Sequence, residues 1–155
     1  SSGRGVAVVA DAGTLARLLA LPQWRGTEPI LEEFVGSRAE YVLHAVVAEG
    51  RIIWHCAYRY WFAEEGRVKG RDAYLRLERA EVTPAHLAVF THMLAAFDYT
   101  GPVNIDYRFR ADGRLVLHEI NPRLGSSLML REHVADLADC LEALLIAALA
   151  AGVRP

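Results

Sequence analysis

Two pairs of extended segments, each joined by a tight-turn sequence, constrain this chain more than any other feature. Glu40 to Ala48 and Arg51 to Phe62 flank Glu49-Gly50; Val103 to Arg110 and Arg114 to Ile120 flank Ala111-Asp112-Gly113. Apolar residues recurring every second position mark strands, and a Gly after a polar residue supplies the positive φ that a hairpin turn needs. Two antiparallel hairpins are therefore expected. Asp11 is placed to cap a helix from Thr14 to Ala20, closed by Pro22, and Thr83-Pro84 opens a helix reaching Phe97. Arg131 to Ala151 predicts an amphipathic helix with an apolar seam of Val134, Leu137, Leu141, Leu144 and Leu145. Gly5 to Ala10 and Ile30 to Val35 read as short strands, and the charged stretch Ala63 to Glu81 as a loop. This order predicts an α+β fold, an antiparallel sheet packed with helices, and not a doubly wound dinucleotide fold.

Composition removes several classes. Of 155 residues, 53% are hydrophobic and 23% charged, which argues against disorder and against a disulfide scaffold. A net charge of -2 and the lack of a basic stripe with interleaved aromatics predict no nucleic-acid partner. The apolar run from Ala143 to Ala151 is too short to span a bilayer, so no membrane role is expected and the reading is cytoplasmic. Cys56 and Cys140 have no metal-type spacing and are expected as buried, reduced thiols. His44, His55 and His118 alternate with apolar residues on strands and read as partly buried imidazoles, not zinc ligands.

Chemistry concentrates in Val103 to Arg123. On the first strand Asn104, Asp106 and Arg108 share a face; on the second Leu117, Glu119 and Asn121 share one. If the hairpin brings these faces together, Asp106, Glu119 and Asn121 converge as hard oxygen ligands suited to Mg²⁺ or Mn²⁺. Arg123, just past Pro122, would then offer a planar fork to a phosphoryl group. Taken singly, each of these residues also fits an ordinary sheet surface.

His118 to Ser127 (His-Glu-Ile-Asn-Pro-Arg-Leu-Gly-Ser-Ser) resembles the metal-holding strand end of the ATP-grasp superfamily, and Tyr99 to Tyr107 looks like the strand carrying the other ligand. The nearest flavour is the branch that includes the large chain of carbamoyl-phosphate synthase. The resemblance implies Asp106, Glu119 and Asn121 as metal ligands and Arg123 as the catalytic phosphate or acyl-phosphate contact. Ile30 to Glu40 is similar to the family's hinge, which implies nucleotide contacts around Glu32, Glu33, Phe34 and Val35, with adenine on Glu33 and Val35 and the ribose on Glu40. Ser1 to Val6 looks like the end of the glycine-rich phosphate loop, which implies Gly3, Arg4 and Gly5. Residues 1–35 would then end the smaller lobe, and residues 36–155 form the larger lobe with the metal site.

The implied function is an ATP- and Mg-dependent ligase that activates a carboxylate as an acyl phosphate for attack by an amine or related nucleophile. Its partners would be small molecules, and the oligomeric state is open, a homo-oligomer included. The alternative is a non-catalytic nucleotide-binding domain, regulatory or scaffolding, derived from ATP-grasp. The family's Lys-Pro strand before the phosphate loop and its earlier lysine are absent, so a fragment missing them is expected to bind ATP weakly and to be inactive alone. Lys69, the only lysine, fits neither place. The Gly-Asp-Ser segment of carbamoyl-phosphate synthases and the Arg-Arg and Glu-Glu-Ala-Pro stretches of biotin carboxylases are also absent. Arg59 is expected on the strand facing the nucleotide.

Overall fold

Both hairpins form, and one long central strand joins them into a single sheet. The computed structural model describes residues 5–65 and 67–150. Strand β1 (Ala39–Ala48) pairs with β2 (Arg51–Trp61) on one side and β4 (Gly101–Phe109) on the other, while β3 (Arg76–Ala80) and β5 (Leu115–Asn121) close the edges. The five strands run in the order β3-β2-β1-β4-β5, with every pair antiparallel. Helices α1 (Ala12–Leu19), α2 (Pro84–Ala95) and α3 (Val134–Ala150) complete an α+β fold, as the sequence predicts. None of the described helices is long and apolar enough to cross a membrane.

The local signals work as read. The Asp11 carboxylate accepts from the Thr14 N–H at 2.7 Å, and the Thr83 hydroxyl accepts from the His86 N–H at 3.2 Å. The first hairpin turns through Glu49 (φ 48°) and Gly50 (φ 72°), the two successive positive angles of a type I′ turn. Glycine is doubly required at position 50, because a Cβ there would lie 2.7 Å from Ala95 Cα.

Each face of the sheet buries its own core. One is formed by Leu43, Ala45, Val47, Val103, Ile105 and Tyr107 against Phe90 and Leu94 of α2. The other sets Val42, Val46, Cys56, Tyr58, Tyr60 and Phe62 against Leu128 and α3. Cys56 and Cys140 are both free and buried there, as expected, and burial pushes their thiols up to about 12 and about 11.

Four expectations fail. Residues 76–80 form β3 instead of loop: Glu78 stands opposite Arg59 and also accepts from Trp61 Nε1 at 2.8 Å, so cross-strand pairing offsets a charged sequence. Gly5 to Ala10 and Ile30 to Val35 form no strand, having no strand to pair with among the described residues; Val6 and Val8 are exposed, and Ile30 is 87% exposed. The seam of α3 is also different. It buries Asp136, Cys140, Ala143 and Ala147, while Val134, Leu141 and Leu145 are exposed and Leu137 and Leu144 are only partly covered. Small residues let the helix approach the bulky aromatics of β2. Finally, Arg59 lies opposite Tyr41, on the α2 face, where it is ion-paired to Glu78 and stacked 4.5 Å over Trp61.

Asp136 is the polar exception inside the α3 interface, 7% exposed. Tyr58 Oη donates to its Oδ2 at 2.6 Å and Arg79 Nη1 to its Oδ1 at 2.6 Å. Tyr58→Phe removes one of these donors, so stability in urea is expected to fall by about 2 kcal/mol, the typical value for a hydrogen bond to a charged group.

Candidate functional site

Strand alternation puts one polar stripe across the α3 face. His44 is opposite Asn104 and Val42 opposite Asp106 in the β1–β4 ladder, and in the β4–β5 ladder Asn104 is opposite Asn121 and Asp106 opposite Glu119. Directly opposed residues point to the same face, with Cβ atoms about 4.5–5.5 Å apart. Asp106, Glu119 and Asn121 therefore converge, the condition that the sequence reading left open. A register shift after Asp106 leaves His118 as the extra residue and puts Leu117 opposite Tyr107, on the α2 side. Leu117 does not share the face of Glu119, contrary to simple alternation, and His118 is exposed instead of partly buried.

Two further charged residues join this stripe. Glu40 is 7% exposed; its Oε2 accepts from Arg108 Nη2 at 2.7 Å, and its Oε1 lies 3.7 Å from Lys69 Nζ. Lys69 is also ion-paired with Asp106. Burial raises the Asp106 carboxyl above its ordinary range, and the ammonium of Lys69 opposes that rise. Arg108 reaches further, donating to the carbonyls of Val35 at 3.2 Å and Arg67 at 2.7 Å. One buried guanidinium thus ties the segment before β1, the loop after β2 and the acidic face together.

The other expected residues lie at the rim. Glu32 and Phe34 are exposed, and Glu33 is ion-paired with Arg110 beside the β4–β5 turn, which holds its carboxyl below the usual range. Glu33 and Phe34 line an open groove with Arg110, Asp112 and Arg114, and Glu32 lies outside it. The Val35 carbonyl is already occupied by Arg108, and Glu40 is turned into the acidic stripe. Arg123 is exposed just beyond β5, its Nη1 donating to the Leu124 carbonyl at 3.0 Å. Gly5 is exposed at φ 74° with open space around it. Gly3 and Arg4 lie outside the described residues.

Among the described residues no three His, Cys, Asp or Glu side chains form a metal cluster. The convergent set is of another kind, two carboxylates and an amide. Asn121 Nδ2 is buried without a partner among the described residues, an orphaned group where a phosphate oxygen would be well received. The donor set fits a hard cation shared with phosphates.

The loop that carries Arg123 is pinned by the same stripe. His44 Nε2 and Ser127 Oγ are 2.8 Å apart, and His133 Nδ1 lies 2.7 Å from the Ser127 carbonyl. Burial first, then the positive charge of Lys69, pushes His44 down to about 3. An unfolded imidazole titrates near 6.5, so the unfolded chain binds more protons between these values. Stability is therefore expected to fall as pH drops from about 6.5 toward 3, by up to about 1.4 kcal/mol per unit. Denaturation midpoints across that window should show this slope, and His44→Gln should flatten it. His44 is read from the sequence as a partly buried imidazole; it is fully buried, and its partner is the side chain of Ser127, brought from 83 residues away.

No family model and no curated protein matches the chain. Among solved structures it is similar to the ATP-grasp ligase PsnB complexed with minimal precursor, Mg and ADP, at 21% identity over 61% of this chain and 27% of that one (TM-score 0.38). PsnB with a phosphomimetic variant of the minimal precursor, Mg and ADP aligns at 21% identity over 79% of this chain and 35% of that one (TM-score 0.44). The L-amino acid ligase from Bacillus licheniformis aligns at 16% identity over 59% of this chain and 24% of that one (TM-score 0.38). The chain spans about a quarter to a third of the length of these proteins.

Proposed function

We propose that this chain is part of an ATP- and Mg-dependent ligase of the ATP-grasp type, which activates a carboxylate as an acyl phosphate for an amine or related nucleophile. The observation that carries the reading is the β4–β5 register, which sets Asp106 against Glu119 and Asn121 beside them on one face. The resemblance of His118 to Ser127 to the family's metal strand is independent of that register and supports Glu119 and Asn121, and that of Tyr99 to Tyr107 supports Asp106. Residues 1–35 would close the smaller lobe and residues 36–155 form the larger.

Asp106, Glu119 and Asn121 would hold the metal, which when bound neutralises phosphate charge and orients the terminal phosphoryl group. Arg123, exposed at the strand exit, would extend its guanidinium to the phosphoryl oxygens as charge develops. The orphaned Asn121 amide would donate to a phosphate oxygen. Glu33 and its neighbours at the groove by the β4–β5 turn would meet the adenine. Arg108 would keep that segment in register with the acidic face through the Val35 carbonyl and Glu40.

The test is chemical. The gene product carrying this chain, given Mg-ATP, a panel of carboxylates and hydroxylamine, is expected to release ADP and form hydroxamate together, with selected carboxylates only. Nucleotide binding without either product would move the assignment to the alternative, a non-catalytic nucleotide-binding domain. One observation favours that alternative: Lys69 already neutralises Asp106 and Glu40.

A further inference from the structure

We infer that Lys69 is a built-in counter-cation of the acidic face, held on Asp106 and Glu40 in the metal-free protein and displaced when a divalent cation enters. The inference rests on the metal reading above and adds to it a competition that sets when the site is open.

Lys69 ion-pairs with Asp106 and lies 3.7 Å from Glu40 Oε1, with its side chain 22% exposed. Its ammonium also sits 5.3 Å from the centroid of the Tyr60 ring. A metal ligated by Asp106 would bring a double positive charge against this ammonium. Two cations sharing a carboxylate in a partly buried place repel strongly, so both cannot stay.

Arg108 and Lys69 divide the work on Glu40. Arg108, with its side chain 6% exposed, holds Oε2 through a fork that also binds two backbone carbonyls. It has no freedom to leave. Lys69 approaches the other oxygen as a point charge on a flexible stem, the kind of group that exchanges readily.

The turn that carries Lys69 is fixed without its help. The Asp72 N–H donates to the Val68 carbonyl at 2.9 Å, the Val68 N–H donates to Asp72 Oδ2 at 2.7 Å, and Arg108 holds the Arg67 carbonyl. The ammonium can swing out by rotation of its stem while the turn stays in place. The site therefore needs no refolding to open.

Lys69 is the only lysine of these 155 residues, so its own peptide reports its exchange. Acylation by an amine-reactive ester, read by peptide mass so that every other amine is resolved, reports how free the ammonium is. Labelling of Lys69 in the natural protein is expected to rise severalfold on addition of Mn²⁺. Lys69→Met, with its fold checked by circular dichroism, is expected to bind Mn²⁺ about tenfold more tightly by electron paramagnetic resonance, and Lys69→Arg is not. Mn²⁺ binding with unchanged Lys69 labelling, or equal affinity in Lys69→Met, overturns the counter-cation and leaves the metal site standing. No Mn²⁺ binding by either protein, with or without ADP, removes the metal site and the counter-cation together.

Discussion

Arg108→Met is expected to cost the protein about 3–5 kcal/mol, the loss seen when one partner of a buried ion pair is removed. Arg108 and Glu40 have side chains only 6% and 10% exposed. Methionine keeps much of the volume but leaves Glu40 Oε2 and the carbonyls of Val35 and Arg67 without the guanidinium that now serves them. Lys69, 3.7 Å from the other oxygen, would recover only part of the loss. Urea denaturation should show a lower midpoint at unchanged slope, and the melting temperature should fall by roughly 10 °C. Adding Glu40→Gln should return some stability, because the uncompensated charge goes with it. A loss below about 1 kcal/mol in Arg108→Met would mean that this network is not what joins the loop, the segment before β1 and the sheet.

Gly125→Ala is the second large effect, at about 3 kcal/mol, and it arises from space alone. The backbone there is ordinary, at φ -89° and ψ 153°, so alanine carries no conformational penalty. Its Cβ, however, would lie 2.0 Å from Asn104 Oδ1 and 2.4 Å from His44 Cε1. Both neighbours are buried, at 4% and 1% exposure, and cannot swing into solvent. The loop bearing Arg123 would lift from the sheet, breaking the His44–Ser127 bond. Gly113→Ala is the useful contrast, with φ 82° and nothing within 4 Å: it should cost only the conformational penalty of about 1 kcal/mol. Asn104→Ser in the Gly125→Ala chain should restore part of the loss by making room.

The sequence made some of this architecture legible because the signals were local. The Asp11 and Thr83 caps and the Glu49-Gly50 turn each act within four residues, and all appear where local chemistry puts them. The acidic stripe was legible for a similar reason: period two sorts Asn104, Asp106 and Arg108 onto one face wherever the strand ends up. What was not legible depends on partners far along the chain. The register shift that moves Leu117 to the other face leaves no mark in composition. The face of α3 was misjudged because a hydrophobicity pattern favours Leu141 and Leu145, while the aromatic surface of β2 requires the smaller Cys140, Ala143 and Ala147. Strand β3 was hidden by its charges, which only pairing with Arg59 explains.

At the candidate site the same division holds. Glu40 shares the alternation of Val42 and His44, so its place on the acidic face could have been read from β1. Lys69 could not: nothing in a charged loop announces that one ammonium will reach Asp106 across 37 positions.

Mn²⁺ binding in the presence of ADP, measured by electron paramagnetic resonance on the natural protein and on Glu119→Gln, tests the central claim most directly. The natural protein is expected to bind Mn²⁺, and Glu119→Gln, folded and equally compact, to bind it on the order of tenfold or more weakly. Equal binding by the two proteins would contradict the claim, and the acidic face of β4 and β5 would then be a charged surface without a metal.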